Sequence, residues 1–221
     1  MVAICFNSKV WANIGLLDRQ GQILSIQDLH FTDENGREVK LNTYFKEKRP
    51  VLIAPVYYGC KGVCTVTLNA LFDGVKRTGL TPGRAIQILA ISINPKEKPE
   101  LALEKKKSYL QKYQFTDKGD GFHFLVGNLS QISKVTEELG FQYEQNGDDF
   151  EHPSAVFILG PSGKITKTLP GTHFNTRKFR QVIAAASGGR SISAFERMIY
   201  LCSRWWQRGI WGDFLNWLGL I

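Results

Sequence analysis

The chain has 221 residues and a formal net charge of +8, and 43% of its residues are hydrophobic. This size and composition are typical of a globular protein with one well-buried domain and a short appendage. Much of the charge lies in stretches expected to be solvated, such as Lys96 to Lys98 and Glu104 to Lys107. Since no nucleic-acid-binding motif accompanies the charge, we expect no binding to nucleic acid.

A β-hairpin is predicted near the start of the chain. The stretches Ile26 to Phe31 and Arg37 to Leu41 flank a turn that contains Asn35–Gly36, which is a strong hairpin signal. Val51 to Tyr58 is predicted to be a strand buried on both faces, because it shows little polar alternation. The next segment predicts a helix with one apolar stripe, which is formed by Val63, Leu68, Leu71, Phe72 and Val75.

Strands and helices alternate through the rest of this region. The pattern predicts strands over Ile86 to Ile93, Phe122 to Val126, Phe141 to Glu144, Ala155 to Leu159 and Lys164 to Leu169. It predicts helices from about Pro99 to Lys112, from Ser130 to Leu139, and from an N-cap at Asn175 to about Ala186. We therefore expect an α/β fold with a mixed edge to its sheet.

The composition changes at Gly188–Gly189, and we predict an N-terminal extension (1–19), a domain (20–187) and a tail (188–221). The tail holds four of the five tryptophans together with several arginines, but no apolar run of about 18 residues that would indicate a transmembrane span. An amphipathic helix of this composition suits a membrane interface. Packing onto the domain or onto a second subunit is the alternative. Cys202, near Trp205 and Trp206, is expected to pack within the tail.

The first residues show no complete export signal, because they carry one lysine and no long apolar core. Cys5 has no credible lipobox, since the bulky Ile4 stands where a small residue is needed. The cysteines number four, which is too few for a disulfide scaffold. A cytoplasmic location does not follow from these features.

Cys60 and Cys64 are the residues that most clearly indicate chemistry. They lie between a predicted strand and a predicted helix, where free N–H groups and the helix dipole favour thiolate. Their Cys-x-x-x-Cys spacing is one residue longer than the familiar redox motif, which leaves room for an ion between the sulfurs. The pair could therefore bind a metal or form a disulfide. A third interpretation is that the two thiols are buried and inert.

A metal would need a further ligand, and His152 is the histidine that we expect beside the thiols. It precedes Pro153 and a buried strand, and in a thioredoxin-type sheet the residues entering that strand face the cysteine loop. Two thiolates and an imidazole suit Cu(I) and could hold Cu(II) with one more ligand, whereas structural zinc ordinarily takes four protein ligands. Asp149 and Glu151, in a predicted acidic loop, could orient His152 or could simply be solvated.

The other histidines are expected to have no role in a metal site. His30 lies in the predicted hairpin and His123 lies between two phenylalanines. Both are therefore interpreted as structural residues whose ring nitrogens have hydrogen-bond partners within the fold. His173 precedes the last predicted helix and is expected to be solvated.

Three segments resemble the SCO1/SenC copper-chaperone family: Tyr57 to Cys64, Glu151–His152–Pro153, and Phe157 to Gly163. The likeness runs from about Gly15 to Ala186. It implies a thioredoxin-like fold with copper ligation by Cys60, Cys64 and His152. It also implies an outward-facing, membrane-associated protein that helps deliver copper to the CuA-carrying subunit of cytochrome c oxidase or to another copper-receiving protein.

Two positions depart from the family pattern. Lys61 stands where many members have proline, and Glu151–His152–Pro153 replaces an Asp-His-Ser or Asp-His-Thr sequence. Pro153 resembles the cis-proline of redox-active thioredoxins, so we predict a cis His152–Pro153 bond.

These departures keep a second function open. The chain could be a thiol–disulfide oxidoreductase in which Cys60 attacks a partner and Cys64 resolves the mixed disulfide. A peroxiredoxin-like peroxidase is a third possibility, but the usual proline-threonine approach to its cysteine is absent from residues Val56 to Gly59.

Overall fold

The computed structural model describes residues 14–26, 28–45, 49–60, 62–115 and 119–188. Most of the predicted extension, nearly all of the predicted tail, Cys5, Lys61 and Cys202 lie outside these ranges. None of the helices within them is long and apolar enough to cross a membrane.

A five-stranded sheet forms the centre of the domain. Its strands are β4 (Val51–Val56), β5 (Gln87–Ser92), β6 (Phe122–Leu125), β10 (Ala155–Leu159) and β11 (Ile165–Pro170), in the order β11-β10-β4-β5-β6. The strands β4, β5 and β6 run parallel, whereas β10 is antiparallel to both β4 and β11. The predicted α/β sheet with a mixed edge is therefore confirmed.

Hydrophobic layers cover both faces of this sheet, which explains why β4 and β5 are apolar along their whole length. One layer contains side chains of α1 (Val63–Thr78), α2 (Pro99–Tyr113) and α4 (Thr176–Ser187). The other contains side chains of α3 (Leu129–Leu139) and of a short 3-10 helix at Leu41–Phe45 that the sequence did not predict.

The helix ends follow local capping chemistry. The Asn175 side chain accepts the N–H of Lys178, so the predicted N-cap of α4 is confirmed. Asn128 caps α3 in the same way by accepting the N–H of Gln131. At the C-terminal end of α1, Gly79 adopts the left-handed conformation (φ 70°) that glycine tolerates without strain.

Short antiparallel pairs surround the central sheet: β1 (Gly15–Leu16) with β7 (Phe141–Gln142), β2 (His30–Thr32) with β3 (Glu38–Lys40), and β8 (Glu144–Asn146) with β9 (Asp149–Glu151). The predicted β2–β3 hairpin is confirmed, with Gly36 at φ 78° in its turn. The acidic stretch before His152, predicted to be a loop, instead forms the β8–β9 hairpin, because Gly147 (φ 65°) allows a tight turn after Asn146.

Lys106 was expected to be solvated, and this prediction is wrong. Its ammonium donates to the Glu34 carboxylate at 2.6 Å, and the two side chains are only 12% and 3% exposed. The second oxygen of Glu34 accepts the N–H of Phe124 on β6 at 3.0 Å. A buried ion pair thus joins the β2–β3 hairpin to α2 and to the sheet.

Candidate metal centre

The cysteine loop connects the carboxyl end of β4 to the amino end of α1. It is short and closed by local bonds, because the Cys60 N–H donates to the Tyr57 carbonyl at 3.3 Å and the Thr65 hydroxyl donates to the Cys60 carbonyl at 3.0 Å. Cys60 is half-buried, whereas Cys64 is 1% exposed. The predicted position of both thiols at a strand–helix junction is confirmed.

The two thiols have different electrostatic surroundings. Partial burial alone would raise the pKa of Cys60, but hydrogen bonds from the N–H groups of Gly62 and Cys64 outweigh it, so the pKa is lowered. Burial raises the pKa of Cys64 well above its ordinary value, although the Tyr57 N–H opposes the shift by donating to its sulfur at 3.5 Å. Cys60 is therefore the thiol that ionises more readily.

His152 contacts Cys64 directly, with 2.9 Å between its Nε2 and the Cys64 Sγ. Its other ring nitrogen, Nδ1, lies 2.8 Å from the backbone carbonyl oxygen of Pro153. Because a carbonyl oxygen can only accept, Nδ1 carries the proton and Nε2 is the acceptor. The Cys64 thiol thus donates to an imidazole nitrogen whose lone pair faces the sulfur.

The Pro153 carbonyl, rather than a carboxylate, orients His152. Asp149 instead accepts a hydrogen bond from the Tyr57 hydroxyl, which lowers the pKa of the Asp149 carboxyl. Glu151 accepts from the Asn146 side chain at 3.0 Å. The carboxylates therefore bind the loop and the hairpin, and not the imidazole.

The predicted cis bond between His152 and Pro153 is wrong, since this peptide bond is trans. Trans is the intrinsic preference even before proline. Pro153 lies ahead of β10, which begins at Ala155, so its missing N–H removes no hydrogen bond from the sheet. The strand can thus start after a trans proline without strain.

Cys60 and His152 open onto a cavity of about 550 Å³, whereas Cys64 is buried behind them. Its wall includes Cys60 and His152, the ring of Tyr57, and Phe150 and Asp149 of β9. The Tyr57 ring meets His152 edge-on, with the ring centroids 6.1 Å apart. The Tyr57 ring therefore packs against the imidazole at the cavity wall.

A metal would have to displace the existing hydrogen bonds. Among the described residues, no three His, Cys, Asp or Glu side chains are arranged to hold an ion in this conformation. Cys64 and His152 bond each other, and the Cys60 sulfur accepts the Gly62 N–H at 3.2 Å. The donor types nevertheless fit copper, because loss of the Cys64 proton would leave soft sulfur and an imidazole nitrogen facing one another.

Glu97 was expected to be solvated, and this prediction is also wrong. Its half-buried carboxylate accepts the N–H groups of Tyr58 at 2.8 Å and Gly59 at 2.6 Å, directly before Cys60. The buried Ser92 hydroxyl donates to the same carboxylate at 2.6 Å. The only sequence signal is that Glu97 follows the carboxyl end of a strand parallel to β4.

The remaining histidines lie apart from the cavity, as predicted. His30 Nδ1 is 2.7 Å from the Glu38 carboxylate in the β2–β3 hairpin. His123 contacts Gln87 through Nε2 at 3.1 Å and packs against Tyr44, with the ring centroids 4.4 Å apart. His173 is exposed. His152, the histidine that we expected beside the thiols, is therefore the one that contacts Cys64.

The family model for SCO1/SenC matches residues 18–187, which is most of the chain. The chain belongs to the SCO1/SenC family. The predicted resemblance is thus confirmed, and the match ends close to the predicted boundary at residues 187–188. No curated protein sequence matches the chain significantly.

Solved structures show the same thioredoxin-like fold. A protein of Aquifex aeolicus VF5 is 22% identical with a TM-score of 0.68, and the match covers 77% of this chain and 95% of that one. Bradyrhizobium japonicum ScoI with copper bound is 21% identical with a TM-score of 0.53, covering 76% and 97%. BsSco, described as a cytochrome c oxidase assembly protein with a disulfide switch, is 19% identical with a TM-score of 0.59, covering 78% and 97%.

Proposed function

We propose that this SCO1/SenC protein is a copper metallochaperone that holds Cu(I) with Cys60, Cys64 and His152. The observation that carries this proposal is the 2.9 Å contact between Cys64 Sγ and His152 Nε2. His152 and Cys60 both line the same cavity. Two thiolates and a neutral imidazole form a donor set that suits a soft monovalent ion. The copper-bound ScoI of Bradyrhizobium japonicum supports the choice of metal.

Binding requires two local changes. Cys64 gives up the proton that it shares with His152, and the Cys60 sulfur turns from the Gly62 N–H toward the imidazole. Cys60 ionises readily, lines the cavity and is half-buried, so it is the ligand that an incoming ion meets first. His152 keeps its orientation through the Pro153 carbonyl while its Nε2 is released from the thiol.

The recipient that we propose is the CuA-carrying subunit of cytochrome c oxidase, with another copper-receiving protein as the alternative. The family resemblance and the description of BsSco as an assembly protein support this choice. The proposal includes a location on the outward face of a membrane, where the CuA subunit is accessible. Contact of the 188–221 tail with the membrane remains a part of the proposal.

Anaerobic titration of the reduced protein with Cu(I), against a competing chelator, tests the ligand set. We expect His152→Ala to weaken Cu(I) binding by at least about tenfold, because one of three ligands is lost. The matched control is His173→Ala, which removes an exposed histidine outside the cavity. An H152A protein that binds Cu(I) as tightly as the control would contradict the three-ligand site.

A second function, thiol–disulfide exchange, is supported by the unequal exposure of the two cysteines. Cys60 is half-buried at the cavity, whereas Cys64 is buried against an imidazole that can accept its proton. The Cys60 thiolate would attack a partner disulfide and release one partner thiolate. Cys64, deprotonated by His152, would then attack Cys60 and release the second thiolate, so that two electrons pass to the partner.

Trapping distinguishes this second function from copper binding alone. A Cys64→Ser variant cannot resolve the mixed disulfide, so it should accumulate a covalent adduct with a disulfide-containing CuA-subunit domain. A Cys60→Ser variant, which lacks the attacking thiol, serves as the control. Absence of an adduct in C64S, with Cu(I) binding intact in the wild type, would reject the exchange function.

A further inference from the structure

We propose that Glu97 is a positioning residue that fixes the cysteine loop for metal binding, and this proposal rests on the proposed function of the site. Glu97 does not line the metal cavity, whose wall is formed mainly by Tyr57, Cys60 and the residues from Asp149 to His152. Its carboxylate acts instead on the backbone immediately before Cys60. A negative side chain thus controls a thiol ligand without touching it.

The contacts of Glu97 are directed at two consecutive N–H groups. Oε2 accepts from Tyr58 at 2.8 Å and Oε1 accepts from Gly59 at 2.6 Å, which is the geometry of a carboxylate that bridges a turn. Ser92, which is fully buried at the end of β5, donates to Oε2 at 2.6 Å and holds the carboxylate in place. The strand next to β4 therefore fixes the turn that follows β4.

Residue 59 has little room for a side chain at this contact. A Cβ built on Gly59 would lie 3.3 Å from Glu97 Oε1, so the glycine lets the carboxylate approach the backbone closely. Cys60 follows directly, and its N–H donates to the Tyr57 carbonyl while its carbonyl accepts from the Thr65 hydroxyl. Glu97 is thus the side chain that ties the backbone N–H groups of Tyr58 and Gly59 to the end of β5.

The neighbouring residue extends this link to the opposite wall of the cavity. Lys96 donates to Asp148 in the β8–β9 turn at 3.1 Å, while Asp149 accepts from the Tyr57 hydroxyl. The Lys96–Asp148 pair is 70% and 96% exposed, so it contributes little on its own. Glu97 is the member of this segment whose removal should change the loop.

Removal of Glu97 should leave the fold intact. Tyr58 is anchored separately, because its hydroxyl lies 2.8 Å from the Ala90 carbonyl and 2.9 Å from the Leu125 carbonyl inside the core. Cys64 belongs to α1 and packs in the core with Leu68 and Phe72. The expected defect is thus confined to the segment from Tyr58 to Cys60, which would sample more conformations than the metal site can use.

Amide hydrogen exchange and Cu(I) titration of Glu97→Ala and Glu97→Gln test the proposal. In E97A, exchange at the Tyr58 and Gly59 amides should accelerate by at least about tenfold, and Cu(I) affinity should fall by at least about tenfold. Exchange at Leu89, in the middle of β5, should not change. E97Q should recover part of both properties, because an amide oxygen still accepts one N–H. The matched control, Glu104→Ala, removes an exposed carboxylate from α2.

Amide exchange and Cu(I) titration together distinguish failure of the positioning role from failure of the proposed function. Unchanged exchange at Tyr58 and Gly59 in E97A would overturn the positioning role. Faster exchange with wild-type Cu(I) affinity would overturn it as well, since the loop would then move without effect on the metal. If the wild-type protein itself binds no Cu(I), the proposed function fails, while locally faster exchange in E97A still supports the link between Glu97 and the loop.

Discussion

The two cysteines differ as single residues, although only three residues separate them in the sequence. The Cys60 sulfur accepts a hydrogen bond from the Gly62 N–H just before α1, and Cys60 lines the cavity. Cys64, in contrast, is buried, and its thiol donates to His152. A lowered pKa and partial exposure both increase the reactivity of a thiol, and a raised pKa with burial decreases it. The chemistry of the pair is therefore asymmetric before any metal binds.

Alkylation rates should report this asymmetry. In the reduced protein at neutral pH, we expect iodoacetamide to modify Cys60 at least about tenfold faster than Cys64, because Cys60 is more accessible and its pKa is lowered rather than raised. Peptide mapping by mass spectrometry distinguishes the two sites from Cys5 and Cys202. Equal alkylation rates at Cys60 and Cys64 in the folded protein would contradict this difference in the reactivity of the two thiols.

At the scale of single elements, the buried Glu34–Lys106 pair connects the β2–β3 hairpin to α2. Each partner is desolvated, so the loss of one leaves a buried charge without compensation. The carboxylate also accepts the Phe124 N–H, and a neutral amide at position 34 could keep that bond. The pair thus determines how the hairpin is held against the sheet.

Removal of Lys106 alone should destabilise the protein more than removal of both charges. We expect Lys106→Met to lower the free energy of unfolding by about 3 kcal/mol, and the Glu34→Gln/Lys106→Met double variant to recover most of this loss. Urea unfolding measures both values, with Lys107→Met as the control for an exposed lysine on the same helix. The prediction fails if K106M and K107M differ by less than about 0.5 kcal/mol.

Elements with a strong local signal could be predicted from the sequence, and those set by distant partners could not. The Asn35–Gly36 turn and the apolar runs of β4 and β5 identified their elements directly. The β8–β9 hairpin was missed because only Phe150 of its strands is buried, although Asn146–Gly147 is the same turn signal.

The site shows the same division at the residue scale. Cys60, Cys64 and His152 have side chains that indicate their chemistry, and the structure places the latter two in contact. The role of Glu97 was not predictable, because its partners are backbone N–H groups about 38 residues earlier in the chain. Almost every residue has the same backbone N–H and carbonyl, so residue types do not reveal which backbone groups a side chain will bind.

At the scale of the whole molecule, His123 links stability to pH. Burial lowers the pKa of His123 from 6.5 to about 4, with Lys106 acting in the same direction and Glu34, Asp33 and Asp120 opposing it. The folded protein therefore binds fewer protons than the unfolded chain between these values. The corresponding stability is present above pH 6.5 and is lost as the pH falls toward 4.

This loss should amount to about 3 kcal/mol at most and should disappear in a variant without the imidazole. We expect the free energy of unfolding of His123→Gln to fall less steeply than that of the wild type between pH 6.5 and 4, even if H123Q is less stable at pH 7. Urea unfolding across this range measures the slope, and His173→Gln provides the control. Identical slopes for wild type and H123Q would reject the assignment.

The Pro153 carbonyl has a consequence for which residues this position tolerates. A main-chain oxygen is present whatever side chain stands at position 153, so substitutions there leave the acceptor for His152 Nδ1 unchanged. Proline, serine and threonine at position 153 are then equivalent for holding the imidazole. Substitution beside His152 should therefore leave the orientation of its ring unchanged, because a main-chain carbonyl cannot be removed by mutation.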